Sequence, residues 1–316
     1  LIDKDMITPA VVFGALVGAM FWNVVTWLKG IPSSSSHALV GGIIGAGVAH
    51  ASIGGIQWAG LNKTLIAIVL SPLLGLILTM IIMLSTSWMG VRASAHGAER
   101  TFRSLHLVSA GAYSLGHGLN DAQKTMGVIT VLLYSTGYLH GDFAVPHWVA
   151  LSCYIAIGLG TLTGGWRIIE TMGTRITKLD QHQGFSASAG GSVMLFAASY
   201  LGIPVSTTHT ITGCVIGAGA ARRASAVRWG IARNVMIAWI ITIPASGIVA
   251  ALFYWMVSGH AMRALLAVEI VALVIFASVA WREFKLQANG PGRLSAALAT
   301  LGFLIVAGIL TYAALP

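Results

Sequence analysis

The sequence predicts an all-α polytopic membrane protein made of two related halves. Of its 316 residues, 56% are hydrophobic and only 9% are charged, which is too apolar for a soluble protein of this length. The heptapeptide IPSSSSH at 31–37 returns as IPVSTTH at 203–209. The composition therefore indicates lipid as the solvent, and the repeated motif indicates an internal duplication.

Apolar runs define the predicted helices along the chain. A helix that crosses a bilayer needs roughly 17–25 apolar residues, and by that measure the chain has roughly ten candidate spans. They are 7–28, 31–50, 62–84, 105–136, 148–164, 188–202, 203–221, 234–257, 264–281 and 294–314. Several of these runs are short or contain Gly and Pro, which predicts broken or re-entrant helices at those places.

The duplication extends well beyond the heptapeptide. Each copy continues into a helix of small residues, GGIIGAGVA after the first copy and GCVIGAGAA after the second. At a nearly constant offset, the alignment pairs Trp58 with Trp229, Pro72 with Pro244 and Gly75 with Gly247. We therefore predict that two whole helical units, and not two short motifs, are related.

The charge distribution predicts that the two halves are inverted. The chain has a net charge of +9, but its basic residues lie in short connectors and form no extended patch, so we predict no nucleic-acid partner. Residues 51–61, which follow the first motif copy, contain no Lys or Arg. Residues 222–233, which follow the second copy, contain four arginines. Cytoplasmic loops are enriched in Lys and Arg, so equivalent loops face opposite sides. This pattern is typical of an inverted-repeat secondary transporter.

The remaining connectors fit the same orientation. If 188–202 and 203–221 form a down-and-back pair, all four basic loops lie on the cytoplasmic side. The connectors 138–147 and 258–262, which contain no Lys or Arg, then lie outside. The cytoplasmic groups are Arg92, Arg100 and Arg103; Arg167, Arg175 and Lys178; Arg222, Arg223, Arg228 and Arg233; and Arg282, Lys285 and Arg293.

Hydroxyl groups in the two motif copies predict an anion site at helix N-termini. Pro is favourable in the first turn of a helix, and the following Ser and Thr side chains can cap the first N–H groups. A helix N-terminus inside the membrane attracts an oxyanion. The candidate ligands are Ser34, Ser35, Ser36, Ser206, Thr207 and Thr208, with His37 and His209 as supporting residues. The alternative is that these hydroxyls only allow close helix packing.

The segment GHGLNDAQKTMG at 116–127 places ionisable groups at membrane depth. The surrounding run predicts a spanning helix that is interrupted at 116–118, with Asn120, Asp121 and Lys124 near its middle. An ionisable residue at that depth is costly and indicates a functional site. In the alternative interpretation, Asp121 and Lys124 merely neutralise one another three residues apart on one helix face.

Together, GHGLNDAQKTMG and IPVSTTHTITG resemble the motifs of the inorganic phosphate transporter (PiT) family, especially of its bacterial members. The resemblance covers essentially the whole chain. It implies an inverted-repeat carrier that moves orthophosphate, or a neutral metal–phosphate complex, inward with a coupling cation. It also implies that Asn120 and the two hydroxyl clusters line the phosphate site, that Asp121 couples the cation, and that Gln123 and Lys124 support the site.

The first half is predicted to lack its opening portion. The chain begins at Leu1, and the counterpart of GHGLNDAQKTMG, which lies before the second motif, would fall before that residue. We therefore expect residues 1–104 to hold the remainder of the N-terminal repeat and a cytoplasmic connector. Residues 105–316 are expected to hold the C-terminal repeat and trailing transmembrane helices.

Other functions remain open at this stage. A permease for sulfate or another oxyanion would use the same chemistry, a channel would also use broken helices, and an intramembrane serine hydrolase would use Ser and His. The two cysteines, Cys153 and Cys214, lie in apolar runs and predict neither a disulfide nor a zinc site. We expect no enzyme activity, no cofactor besides H+ or Na+ as coupling cation, and location in the inner membrane of a bacterium. The sequence leaves a homodimer open.

Overall fold

The fold is all-α in a computed structural model that describes residues 1–3, 6–91 and 94–258. The helices are α1 (Pro9–Lys29), α2 (Ser35–Ala51), α3 (Trp58–Met89), α4 (Ala95–Ser135), α5 (His147–Thr163), α6 (Trp166–Glu170), α7 (Gln181–Tyr200), α8 (Thr207–Arg222) and α9 (Trp229–Ser258). The predicted spans 264–281 and 294–314, and the basic residues at 92, 282, 285 and 293, lie outside the described residues.

Within the described part of the chain, three helices are long and apolar enough to cross a membrane by length and composition: α1, α3 and α9. A bent pair, His147–Leu162 with Trp166–Arg175, brings the number to four if it forms one span. The helices α2 and α8 have 17 and 16 residues and are about 24–26 Å long, less than the roughly 30 Å of a bilayer core. The prediction of broken or short helices is confirmed for these two.

The same broken hairpin occurs in both halves. A short non-helical break connects α1 to α2, and a similar break connects α7 to α8. The two helices of each pair pack against each other. The first break opens at Gly30 with φ 66°, and the second contains Gly202 at the equivalent position with φ 64°. Residues with a side chain rarely adopt this left-handed conformation, so glycine is the natural choice there. The down-and-back pair of 188–202 and 203–221, on which the predicted loop orientation depends, is therefore present.

The two halves pack against each other reciprocally. The helix α2 of the first half lies on α9 of the second, and α8 of the second half lies on α3 of the first. Glycines make both crossings close: a Cβ added to Gly45 would collide with the Gly247 carbonyl, and one added to Gly213 would collide with the Pro72 carbonyl. This reciprocal packing agrees with a twofold relation between the two copies.

The helix α4 corrects one prediction. It runs without a break from Ala95 to Ser135, so the expected interruption at Gly116, His117 and Gly118 is wrong. Gly116 serves packing: it faces the Leu195 side chain of α7, and a Cβ there would lie 3.2 Å from the Leu195 Cβ. The helix also begins ten residues earlier than predicted.

The early start of α4 changes two further assignments. Arg100 and Arg103, predicted in a loop, lie in its first turns, and the predicted boundary between residues 104 and 105 falls inside the helix. The whole of α4 packs mainly along α7 and also contacts α5. The division of the chain into two inverted units stays a prediction.

The inverted orientation can be tested by labelling. Ala51 is the exposed last residue of α2, and Ser225 is exposed just after α8. The variants Ala51→Cys and Ser225→Cys therefore place a thiol at equivalent ends of the two copies. The native Cys153 and Cys214 are buried and give little background. We expect a membrane-impermeant maleimide to reach the two new thiols from opposite sides of a vesicle. Labelling of both from the same side would contradict the inversion.

Candidate functional site

Each motif copy begins a helix with the same cap. Ser34 Oγ accepts a hydrogen bond from the His37 N–H at 3.2 Å, and Ser206 Oγ accepts one from the His209 N–H at 3.2 Å. Both capping residues are extended, with φ and ψ of −94° and 116° for Ser34 and −90° and 115° for Ser206. The predicted capping by the first hydroxyl of each cluster is confirmed. The remaining first-turn N–H groups have no acceptor within their helix.

The two helix N-termini come together in the interior. The rings of His37 and His209, one from each motif copy, meet edge to face with their centroids 4.3 Å apart. His209 also stacks on Trp239 of α9 at 3.7 Å, and the Trp239 indole donates to the Pro32 carbonyl. Both histidines are buried. These contacts hold the two motif copies side by side.

Asp121 joins α4 to the second motif copy. Its Oδ2 accepts from Thr207 Oγ1 at 3.0 Å and lies 3.0 Å from His117 Nε2, while its Oδ1 accepts from Lys124 Nζ at 3.0 Å. The side chain is only 12% exposed. A carboxylate in this setting is satisfied by three partners, and protonating it would weaken all three interactions.

Lys124 joins α4 to both copies. Its ammonium group donates to Asp121 Oδ1, to Ser36 Oγ at 2.7 Å and to the Val205 carbonyl oxygen at 2.7 Å. Ser36 is the second residue of α2, whereas Val205 lies in the break between α7 and α8. The sequence-predicted residues Ser36, Asp121, Lys124 and Thr207 are therefore brought together in one hydrogen-bonded cluster.

Asn120 faces another way. Its amide Nδ2 lies 3.1 Å from the Gly116 carbonyl, 3.1 Å from the Leu195 carbonyl and 2.7 Å from Ser199 Oγ. The residue is buried between α4 and α7. In this structure its amide holds α4 against α7, and its predicted role as a phosphate ligand stays a prediction.

The other predicted residues occupy the edges of the site. Ser35 is exposed as the first residue of α2, and Thr208 is half-buried in the first turn of α8. Gln123 is exposed on α4, although its neighbours Ala122 and Lys124 turn inward. The structure thus does not bring Gln123 into the cluster around Asp121.

A cavity of about 420 Å³ opens beside the cluster. Its polar end is formed by Ser36, His37 and Lys124, and most of its remaining wall is apolar, with Val11, Val40 and Val128 among the lining residues. An apolar wall keeps the local dielectric constant low, so it strengthens the interaction of nearby charges and dipoles with a bound ion.

Three contributions to the cluster were missed by sequence reasoning. His117 lies one helical turn before Asp121, and the i, i+4 spacing in the sequence was a usable signal for that contact. The Val205 carbonyl and the Tyr113 hydroxyl, which donates to the Thr207 carbonyl at 3.0 Å, gave no such signal. Both contacts join residues that are more than 80 positions apart in the chain.

Comparison with known proteins decides the family. The model of the Phosphate transporter family matches residues 1–250. The chain belongs to this family. A probable low-affinity inorganic phosphate transporter of Rhizobium meliloti (strain 1021) is 58% identical over 255 residues, which cover 81% of this chain and 76% of the relative. A protein of the same description from Mycobacterium tuberculosis (strain ATCC 25618 / H37Rv) is 40% identical over 263 residues, 81% of this chain and 62% of that relative's length.

The fold agrees with that of a solved transporter structure. A structure described as the sodium-dependent phosphate transporter superposes with a TM-score of 0.70 at 23% identity, covering 80% of this chain and 82% of the other. At this identity the likeness establishes the fold alone. Family membership and the apolar spanning helices make this protein an integral membrane protein, and in a bacterium its membrane is the plasma membrane.

Proposed function

We propose that this member of the phosphate transporter family is a secondary active carrier that imports inorganic phosphate by symport with a cation, the proton. The observation that carries the proposal is the convergence of two capped helix N-termini on Asp121 and Lys124, at breaks in two hairpins. Relatives described as low-affinity inorganic phosphate transporters support the choice of phosphate as cargo.

The chemistry of the site suits an oxyanion. The first N–H groups of α2 and α8 and the positive ends of their dipoles attract negative charge. Ser35 and Thr208 stand in these first turns and supply neutral hydroxyl donors. Neutral donors bind an anion without the strong attraction of a full positive charge, so release on the other side of the membrane remains easy.

The membrane potential makes a coupled cation necessary. Carrying one uncompensated negative charge inward costs about 2.3 kcal/mol per 100 mV when the interior is negative. At least one proton must therefore accompany each negative charge, and one more is needed for the potential to drive uptake. Asp121 is the proposed proton acceptor because its carboxylate links Lys124 on its own helix α4 to Thr207 of the second motif copy. Rocking of one half against the other would then expose the site alternately.

Uptake by proteoliposomes tests this function. An inward proton gradient should drive accumulation of radiolabelled phosphate, arsenate should compete, and sulfate should not. Unlabelled internal phosphate should accelerate entry of the label by counterflow, which a carrier shows and a channel does not. Accumulation that depends on added Mg²⁺ would identify a neutral metal–phosphate complex as the transported species. Competition by sulfate as strong as that by phosphate would favour the oxyanion permease instead.

A further inference from the structure

The ammonium group of Lys124 has an unusual set of neighbours. It is surrounded by the Asp121 carboxylate at 3.0 Å, the Ser36 hydroxyl at 2.7 Å and the Val205 carbonyl at 2.7 Å. These oxygens come from α4, from the start of α2 and from the break before α8. The Lys124 side chain is 19% exposed, so most of it is withdrawn from water.

This oxygen set is also one that a small hard cation prefers. Hard metal cations bind carboxylate, hydroxyl and backbone carbonyl oxygens. In carriers with broken helices, the carbonyls of the unwound segment commonly coordinate the coupling Na+ or H+. Val205 supplies such a carbonyl, because it lies in the unwound segment between Tyr200 and Thr207.

The same contacts argue against Lys124 as a direct phosphate ligand. A lysine ammonium has three N–H donors. All three have protein oxygens within 3.0 Å, one each on Asp121, Ser36 and Val205. An anion would have to displace one of these oxygens before it could bind Lys124. The positive charge of Lys124 therefore interacts with protein oxygens and not with phosphate.

We propose that the Lys124 ammonium occupies a cation site shared by the two motif copies, taking the place of a metal ion, so that the carrier works without Na+. The uptake measurement of this inference rests on the proposed phosphate transport, whereas the measurement of melting temperature does not. Removal of the ammonium while its oxygen partners are kept should convert the position into a site for Na+.

The decisive variant is Lys124→Ser. Its short side chain removes the ammonium and leaves the oxygens of Ser36, Asp121 and Val205 in place. The first measurement is the apparent melting temperature of the purified protein in NaCl and in KCl at equal ionic strength, since a bound ion stabilises the folded state. We expect Lys124→Ser, but not the wild type, to melt higher in NaCl. The second measurement is phosphate uptake, which Na+ should stimulate at least about fivefold in this variant, the lower end of typical coupling between sites.

Two control variants separate an opened cation site from a lost charge. Lys124→Met also removes the charge but fills the space with an apolar side chain, so it should show no response to Na+. Lys63→Ser removes an exposed lysine from α3 and should behave as the wild type in both salts. A response to Na+ by Lys124→Met or Lys63→Ser as large as that of Lys124→Ser would overturn the proposal.

The remaining outcomes keep this inference distinct from the proposed function. Higher melting of the wild type in NaCl than in KCl would overturn the cation site, as would failure to recover folded Lys124→Ser even in NaCl. Phosphate transport by the wild type together with an unresponsive Lys124→Ser would reject the cation site alone. Sodium-dependent stabilisation of Lys124→Ser without phosphate transport by the wild type would support the cation site and reject phosphate as cargo.

Discussion

Replacement of Asp121 by Asn is expected to abolish proton-driven phosphate uptake, to below about one hundredth of the wild-type rate. The change removes one partner of a mostly buried ion pair, which commonly costs about 3–5 kcal/mol. An Asn amide keeps one oxygen for Lys124, but its NH2 group cannot accept the hydrogen bond that Thr207 donates to Oδ2. It also removes the group that we propose binds the coupling proton. Uptake of radiolabelled phosphate into proteoliposomes under a proton gradient measures the effect.

A matched control separates this loss from damage to the fold. Asp142 is exposed in the connector between α4 and α5, so Asp142→Asn makes the same chemical change far from the cluster and should leave uptake unchanged. Both variants should elute as monodisperse protein in detergent. Near-normal proton-driven uptake by Asp121→Asn would refute the assignment of Asp121 to cation coupling.

Replacement of Gly213 by Ala is expected to disrupt the crossing of α8 and α3. The added Cβ would collide with the Pro72 carbonyl, a backbone atom that cannot turn aside as a side chain can. Overpacking of this kind costs about 1–3 kcal/mol and occasionally more. We therefore expect the apparent melting temperature to fall by about 5–10 °C, with less folded protein recovered. Fluorescence-detected size exclusion after heating provides the measurement.

The helix α5 offers the comparison for this glycine. Gly158 has open space around its Cα, so Gly158→Ala meets no neighbour and should be neutral or slightly stabilising, because Ala favours helix over Gly by about 0.5–1 kcal/mol. Gly45→Ala tests the equivalent crossing of α2 on α9, where the Gly247 carbonyl stands in the way. If Gly213→Ala and Gly158→Ala melt at the same temperature, the close approach of α8 and α3 is wrong.

The local parts of this architecture were predictable from sequence. The proline and serine of each motif copy act on their own backbone neighbourhood, so they predict a capped helix start. The structure confirms this at Ser34 and again at Ser206. Hydrophobicity predicted most of the helices equally well, because an apolar run in lipid must satisfy its own backbone hydrogen bonds.

The parts that depend on distant contacts were not predictable in the same way. Glycines in 116–118 suggested a break, yet the neighbouring α7 keeps α4 continuous and uses Gly116 for close approach. The direction of the Asn120 amide is set by acceptors at Leu195 and Ser199, which lie about 75 or more residues away. Sequence order carries no direct signal for such a partner.

The exchange of partners between α2 and α9 has a consequence for biosynthesis. The glycine-lined face of α2 packs against a helix that ends at Ser258, far downstream in the chain. At a translation speed of about 5–20 residues per second, that face waits roughly 10–40 s before its neighbour leaves the ribosome. During this interval the first hairpin must be held in the bilayer by lipid or by the insertion machinery. The packing of the first half is therefore complete only after α9 of the second half has been synthesised.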